Sequence, residues 1–164
     1  MKSLLIYNWF NIKFLLMKKL KLYLDNCCFN RPYDNQEQLR IKLETLAKLT
    51  IQQKIKNQEV LLCWSYILDF ENEQNPHRER KIEIQKWKSL SFCEIEENKA
   101  VLNKMNELIL NLGLKPLDAL HISCAIESGG DSFLTVDQGI LKRKMKIQEI
   151  QIISPIDWII EMED

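Results

Sequence analysis

Three aspartates stand where a predicted strand ends or a predicted helix begins, and these are unusual places for a charge. Asp25 directly follows the apolar run of residues 20–24, and Asp137 directly follows residues 133–136. Asp118 stands at the predicted start of a helix. In an open α/β sheet, the carboxyl ends of strands and the starts of the following helices face the same crevice. We therefore expect the three carboxylates to converge.

A fourth acid, Glu71, lies on a short helix predicted after the second strand, and the four acids together predict a metal site. Carboxylates that lie close together repel one another, and at an effective dielectric of about 20 each close pair costs a few kcal/mol. A hard divalent cation, Mg²⁺ or Mn²⁺, would neutralise them, because such ions prefer carboxylate and water oxygen to sulfur or imidazole. Such an ion can polarise a phosphodiester and orient an attacking water. The pattern therefore predicts phosphodiester hydrolysis.

Strand-like apolar runs alternate with helical patterns, which predicts an α/β fold: a mostly parallel central sheet with helices on both faces. In the first long helix, for example, Leu39, Leu43 and Leu46 repeat at helical spacing. The predicted strands are residues 20–24, 60–64, 92–95, 132–136 and 147–153. The predicted helices are residues 39–55, 66–73, 76–90 and 96–112, then one that carries Asp118 and ends before Gly129, and one that opens at Pro155. Ile82 and Trp87 are the expected buried positions of helix 76–90. Gly113 is expected to end the helix of residues 96–112.

The 164 residues are the size of one domain, and we expect residues 17–164 to form it. Residues 1–16 are apolar but too short for a membrane span, and are interpreted as an extension ahead of a second start at Met17 or as an arm for association. Lys and Arg total 23 against 23 Asp and Glu, so no overall field attracts a polyanion or an anionic membrane, and a nucleic-acid site must be local. The five cysteines include no C-x-x-C pair, which favours a reducing cytoplasm.

The motifs around the acids resemble those of PIN-domain nucleases, including VapC-type toxin ribonucleases. The matching segments are residues 22–25, Ser65 followed six residues later by Glu71, the D-A-x-H-I-x-x-A segment of residues 118–125, and residues 135–137. The likeness covers residues 17–164 and implies a PIN-like three-layer fold. It also implies that four acids bind Mg²⁺ or Mn²⁺ and are catalytic: Asp25, Glu71, Asp118 and Asp137.

The resemblance implies an endoribonuclease that hydrolyses RNA phosphodiester bonds, as the toxin of a toxin–antitoxin pair. The expected partners are RNA, an antitoxin protein or a second copy of the chain, in the cytoplasm and without a membrane. Asn26, next to the first acid, is expected to bind a phosphate or a metal-bound water. Arg31 is the preferred substrate contact, ahead of Arg78, Arg80 and residues 142–144. The alternative function is a PIN-like module that binds RNA or a protein partner without turnover.

Each site assignment has a structural alternative. Glu71 shares its short helix with Asp69 and Glu73, and three such acids can form a solvated face, although the spacing favours Glu71. Asp118 alone could be a first-turn acid favoured by the helix dipole, an effect of about 0.3–1 kcal/mol. His121 lies one turn after Asp118, where it could touch the site, but a hydrogen-bonded helix histidine is the commoner case.

Overall fold

The computed structural model describes residues 19–163, and its centre is a sheet of five strands. The strands are β1 Lys21–Leu24, β2 Leu61–Ser65, β3 Ser91–Ile95, β4 Ser132–Leu134 and β5 Gln151–Ile153. Their order across the sheet is β3-β2-β1-β4-β5, and every neighbouring pair is parallel. The predicted α/β fold with a parallel sheet is confirmed. Residues 1–16, interpreted above as an extension or an arm, lie outside the described residues.

Eight α-helices connect and cover the strands of the described part of the chain. They are α1 Asn26–Asn30, α2 Leu39–Lys56, α3 Tyr66–Glu73, α4 Arg78–Gln85, α5 Lys99–Leu112, α6 Pro116–Glu127, α7 Gln138–Leu141 and α8 Pro155–Glu163. The chain builds β1, β2 and β3 towards one edge, then crosses to β4 and β5 on the other side of β1. Right-handed crossovers therefore place α1–α4 on one face and α5–α7 on the other, and α8 packs against α2.

The strand order reverses between β1 and β4, and this is where an open α/β sheet forms its crevice. Both strands are buried, so their side chains belong to the core on either face. Leu22, Tyr23, Phe133 and Leu134 are fully covered. The residues that follow these strands, beginning with Asp25, are therefore fixed by a rigid core directly beneath them.

Local signals in the sequence explain several helix ends. The Asn98 side chain accepts a hydrogen bond from Val101 N at 3.0 Å and so caps α5. Gly113 follows α5 with φ of 61°, a left-handed conformation that glycine adopts without strain, as predicted. Of the helices between residues 19 and 163, none combines the length and apolar character needed to span a bilayer.

The region predicted as one helix over residues 76–90 differs from the prediction. Helix α4 ends at Gln85, and residues 86–90 form a 3₁₀ turn in which the Ser89 hydroxyl donates to Lys86 O at 2.7 Å. A hydroxyl that binds a nearby carbonyl competes with the helical hydrogen bond of that carbonyl. Of the two expected buried positions, Trp87 is half-buried against the core, whereas Ile82 was wrong, because it is 48% exposed and Ile84 is buried instead. With charges along most of this helix, its sequence carries little periodicity to identify the buried side.

Two strands are shorter than predicted. Strand β4 ends at Leu134 instead of residue 136, and β5 begins at Gln151 instead of residue 147. The two strands pair with each other over three positions, from Ser132 with Gln151 to Leu134 with Ile153. Strand β5 lies at the edge of the sheet and pairs with β4 alone, so it extends only as far as β4 provides partners.

Candidate metal centre

Asp25 lies at the carboxyl end of β1, beside the end of β4. Its backbone N–H donates to Leu134 O at 2.9 Å, which continues the ladder between the two strands. The Thr135 hydroxyl donates to Asp25 Oδ2 at 2.7 Å, and Cys27 Sγ lies 3.0 Å from the same oxygen. Asp25 is 8% exposed. One carboxylate oxygen is thus held by the protein, while the hydrogen bonds recorded for residues 19–163 leave Oδ1 without a donor.

Glu71 reaches the same place from α3, which Ser65 positions. The Ser65 hydroxyl oxygen accepts from Leu68 N at 3.5 Å and caps the helix. Glu71 Oε2 lies 2.6 Å from His121 Nε2 on α6. The other two acids of α3 are engaged elsewhere. Asp69 accepts from Trp64 Nε1 at 2.9 Å and Lys88 Nζ at 2.8 Å, and Glu73 is paired with a lysine.

His121 is the centre of a buried chain of hydrogen bonds that runs from β2 to α3. Its Nδ1 lies 2.8 Å from the Tyr23 hydroxyl, which in turn lies 2.5 Å from Ser65 Oγ. Burial, followed by the charges of Cys124, Asp25 and Glu71, raises the pKa of Tyr23 well above its ordinary value, so this hydroxyl keeps its proton. When His121 is neutral, every group is satisfied by one direction of donation, from Ser65 through Tyr23 and His121 to Glu71.

This chain of hydrogen bonds determines which nitrogen of His121 carries a proton. A carboxylate only accepts hydrogen bonds, so Nε2 carries the proton that Glu71 accepts, whether His121 is neutral or charged. Asp25, Glu71 and His121 each offer one ligand atom, and these atoms lie within 4.8 Å of one another. Because the His121 Nε2–H points at Glu71, the atoms left for a cation are carboxylate oxygens. Both possibilities raised for His121 are met: it touches the site, and it is a hydrogen-bonded helix histidine.

Asp118 lies in the first turn of α6 and is half-buried. Burial raises its pKa, and the negative charges of Asp25 and Asp137 raise it further, while Lys115 and His121 oppose them. The charges of Asp25 and Asp137 thus act on Asp118 in the same direction, against its ionisation. Asp118 therefore contributes to the same negative potential as Asp25.

Asp137 is exposed and sits at the start of α7. Its Oδ1 accepts from Gly139 N at 2.6 Å and Ile140 N at 3.1 Å, so the side chain caps this short helix. Its backbone N–H donates to Thr135 Oγ1 at 3.0 Å. The same threonine thus connects Asp137 to Asp25. A role of Asp137 in metal binding stays a prediction.

The two predicted substrate contacts lie in different surroundings. Asn26 lines a cleft that also contains Glu71. Arg31 is ion-paired, with Nη1 2.8 Å from Asp34 Oδ2 and Nε 2.9 Å from Glu44 Oε2. Its role as a substrate contact stays a prediction, but its charge is already neutralised within the fold.

The sequence reasoning did not assign functions to Tyr23 or Thr135. Thr135 was available as the first residue of the Thr-x-Asp segment, and its hydroxyl orients Asp25. Tyr23 had no comparable signal, because a tyrosine in an apolar strand is an ordinary core residue. Only the packing of β1 against α6 shows that its hydroxyl reaches His121.

A donor set of carboxylate oxygens suits a hard divalent cation, and the arrangement fits one on that ground. The acids gathered at this crevice, Asp25, Glu71, Asp118 and Asp137, make no ion pair with any lysine or arginine of residues 19–163. Negative charge collected in this way, with Lys115 acting on Asp118 but no lysine or arginine of residues 19–163 in ion-pair contact, favours binding a cation from solution.

Comparisons with known proteins agree with the fold. The family model of the PIN domain matches residues 22–146. A similar solved structure is that of VapBC2 from Rickettsia felis bound to a DNA fragment from its promoter, with 14% sequence identity and a TM-score of 0.53 over 82% of this chain and 98% of that chain. Identity this low shows a shared fold alone. None of the curated proteins matches the sequence. The family match spans most of the sheet and all four predicted acids, and the chain belongs to the PIN domain family.

Proposed function

We propose that the chain is a Mg²⁺- or Mn²⁺-dependent endoribonuclease that hydrolyses RNA phosphodiester bonds. The observation that carries the proposal is the approach of Asp25 to Glu71, whose ligand atoms lie within 4.8 Å of each other, with the charge of Asp25 also raising the pKa of Asp118. Membership of the PIN domain family supports it, because PIN domains are generally nucleases.

Asp25, Glu71 and Asp118 would hold the cation, and Asp137 would complete the set. The ion, when bound, would supply Lewis-acid polarisation of the phosphodiester and a more acidic water. The chain's own residues orient the ligands: Thr135 holds one oxygen of Asp25, and His121 holds one oxygen of Glu71. Such neighbours of ligands fix their direction and typically change metal affinity by about 10–100-fold when removed.

We propose further that the chain is the toxin of a toxin–antitoxin pair and acts in the cytoplasm. The support is the likeness of its fold to a VapBC2 complex, together with the family. An antitoxin is then the expected protein partner, and a second copy of the chain is a further one. A net charge of zero favours recognition of particular RNAs over tight binding to every RNA, since unspecific affinity comes from neutralised phosphates.

One observation favours the alternative of a PIN-like module that binds RNA or a protein partner without turnover. The Asp137 carboxylate is exposed, and one of its oxygens accepts two backbone hydrogen bonds that cap α7. That oxygen is therefore less available to bind a metal. A module of this kind would keep the fold and the cleft but lack metal-dependent cleavage.

The deciding experiment follows cleavage of single-stranded and structured RNAs with Mg²⁺, with Mn²⁺ and with a chelator. We expect cleavage that requires the metal and that Asp118→Asn reduces by about 10²-fold or more. The metal-free Asp118→Asn protein should be at least as stable as the wild type in urea unfolding, because one repelling charge is removed. The matched control is Glu73→Gln, which changes an exposed, lysine-paired acid on α3.

Thermal unfolding with and without the ions separates the two functions. A ligand that binds only the folded state raises the melting temperature. Stabilisation by Mn²⁺ without cleavage of any RNA would favour the binding module. If neither ion changes the melting temperature and no RNA is cut, the nuclease proposal fails. A large loss of metal-free stability in Asp118→Asn would instead identify Asp118 as a structural cap.

A further inference from the structure

A cleft of about 250 Å³ opens beside Glu71 and leads away from the metal centre. Its walls carry one carboxylate, from Glu71, one guanidinium, from Arg80, and three asparagine amides, from Asn26, Asn30 and Asn75. Arg80 lies on α4, and Asn26 opens α1 directly after Asp25. The cleft therefore joins a cationic group to the acids by a path lined with amides.

Arg80 is held in place but its hydrogen-bonding capacity is unused. Its guanidinium carbon lies 4.7 Å from the centre of the Tyr33 ring, a cation–π contact that fixes the plane of the group. Its Nε is buried, and no acceptor within residues 19–163 binds it. Nor does any carboxylate of that part of the chain lie in ion-pair range of Arg80. A guanidinium kept in this state is prepared for an oxygen ligand from outside the fold.

Other partly buried arginines differ from Arg80. Arg31 is paired with Asp34 and Glu44 at 2.8 and 2.9 Å. Arg143 donates to two backbone carbonyls, Leu112 O at 3.1 Å and Gly139 O at 2.7 Å. Arg31 is neutralised by two carboxylates, although its Nε, like that of Arg80, is buried without a hydrogen bond within residues 19–163, and Arg143 donates to the protein itself. Arg80 is positioned by a ring, which restrains the guanidinium without using its N–H groups.

The three asparagine amides of the cleft form a series of hydrogen bonds that runs from Asn75 to Asn26. Asn75 Nδ2 donates to Asn30 Oδ1 at 3.2 Å, and Asn30 Nδ2 donates to Asn26 Oδ1 at 3.2 Å. Asn26 therefore has its carbonyl oxygen occupied, and its own NH₂ group has no acceptor among the hydrogen bonds of residues 19–163. The free NH₂ group of Asn26, at the end of this series of hydrogen bonds, lines the same cleft as the guanidinium of Arg80.

We propose that Arg80 and Asn26 bind a backbone phosphate of the RNA strand, next to the phosphate that the metal centre would cleave. The proposal rests on the proposed function for its ligand. A guanidinium matches the geometry of phosphate oxygens and forms paired hydrogen bonds with them, and amide donors are common phosphate contacts. The cleft thereby positions the strand, while its single cation agrees with the zero net charge of the chain. Arg80 takes the role that the sequence favoured for Arg31.

The test measures binding of a fluorescein-labelled single-stranded RNA of about 12 nucleotides to the full chain carrying Asp118→Asn, which prevents turnover. Adding Arg80→Gln should weaken binding by about 10-fold and reduce the slope of log Kd against log salt by about 0.7 between about 50 and 200 mM salt. Arg78→Gln is the matched control, since it removes an exposed arginine of the same helix. It should change the affinity by less than about twofold. Arg80→Lys should be intermediate, because it keeps the charge but not the paired donors or the stacking.

Tyr33→Leu is a second route to the same result, because it removes the ring that holds Arg80 and leaves the arginine present. It should weaken RNA binding in the same direction if Arg80 must be held over the cleft. Equal affinities for Arg80→Gln and its parent, equal losses for Arg80→Gln and Arg78→Gln, or no RNA binding by the parent would each overturn the proposal.

This result is separable from that of the nuclease test. Metal-dependent cleavage by the wild type with no effect of Arg80→Gln on binding would remove the phosphate site and leave the proposed function. RNA binding that depends on Arg80 without any cleavage would leave the phosphate site and remove the nuclease.

Discussion

Two buried carboxylates, Asp25 at the crevice and Glu44 on α2, are stabilised in different ways. Glu44 is 2% exposed and lies between two arginines, 2.9 Å from Arg31 Nε and 2.8 Å from Arg40 Nε. Asp25 is 8% exposed, and its carboxylate accepts hydrogen bonds from the Thr135 hydroxyl and the Cys27 thiol, with no lysine or arginine of residues 19–163 in ion-pair contact. A buried charge is costly unless it is paired. Glu44 has its countercharge inside the fold, whereas Asp25 and its neighbours leave theirs to be supplied from outside.

The difference distinguishes an acid that is neutralised within the fold from one that is a candidate metal ligand. Both lie in the same domain and both are nearly inaccessible to solvent, so burial alone does not distinguish them. The partner distinguishes them, because the guanidinium groups of Arg31 and Arg40 neutralise Glu44. At the crevice, hydrogen-bond donors orient the carboxylates, and no lysine or arginine of residues 19–163 pairs with them.

Removing Glu44 is expected to have the largest effect on stability. Glu44→Ala leaves the Arg31 guanidinium, 18% exposed, without its buried partner. We expect the free energy of unfolding to fall by about 3–5 kcal/mol, which urea denaturation would measure. Arg40→Gln is the control, because Arg40 is 57% exposed, and it should cost less than about 1 kcal/mol. Equal small losses for both variants would mean that Glu44 is no more structural than a surface acid.

Lys48, one turn after Glu44 on the buried side of α2, extends the comparison to a buried cation. Its Nζ lies 5.8 Å from the centre of the Phe29 ring, and the ion pairs within residues 19–163 do not include it. Burial lowers the pKa of Lys48 from 10.5 to about 8, with Lys56 adding repulsion and Cys28 opposing it. As the pH falls from 10.5 to about 8, the unfolded chain gains a proton that the folded chain does not. This group therefore costs stability below that window and costs none above it.

Lys48→Met should thus stabilise the protein by about 2 kcal/mol near neutral pH. The gain should shrink as the pH rises through about 8 and vanish near 10.5, as urea unfolding at several pH values would show. Lys42→Met, at an exposed lysine of the same helix, should give a difference that does not depend on pH in this way. A Met variant that is less stable than the wild type at neutral pH would contradict the prediction.

Tyr23→Phe should have the smallest effect of the three substitutions. It acts on metal affinity at the crevice. It removes the hydroxyl that binds His121 Nδ1 while keeping the ring, which stacks on Phe133 at 5.6 Å. The imidazole is then free to place its proton on Nδ1, and Glu71 loses its fixed donor. We expect Mn²⁺ affinity to fall by about 10-fold, measured by calorimetry, with ¹⁵N NMR of the imidazole reporting the changed tautomer.

Tyr66→Phe is the matched control for this variant. The Tyr66 hydroxyl has no hydrogen-bond partner within residues 19–163, so its removal should leave metal affinity unchanged. Unchanged metal affinity in Tyr23→Phe would mean that the hydrogen-bond chain is a core feature with no influence on the site.

Helix α2 shows why the sequence predicts a helix more easily than its buried face. Leu39, Leu43 and Leu46 revealed the helix by their spacing, yet they are 70%, 48% and 59% exposed. The buried side carries Glu44 and Lys48, which sequence reasoning would assign to solvent. Periodicity depends only on the geometry of the helix, but the choice of face depends on what packs against it.

The acids at the strand ends were predictable for a related reason. Asp25 and Asp137 each follow an apolar run directly, and the pattern of a parallel sheet brings such positions to one edge whatever the details of packing. The proposed preference for Arg80 over Arg31 as a phosphate contact was not predictable, because it depends on the neighbours of the two side chains. Glu44 neutralises one, and Tyr33 holds the other over a cleft.

The order of apolar runs and helical repeats in the sequence was enough to determine the sheet, its parallel strands and the edge at which the acids gather, because these follow from local periodicity and chain direction. The tertiary structure alone decided which charges are cancelled within the fold and which are left for a ligand. A side chain's countercharge comes from residues far away in sequence, and the distance between the two exists only after the chain has folded.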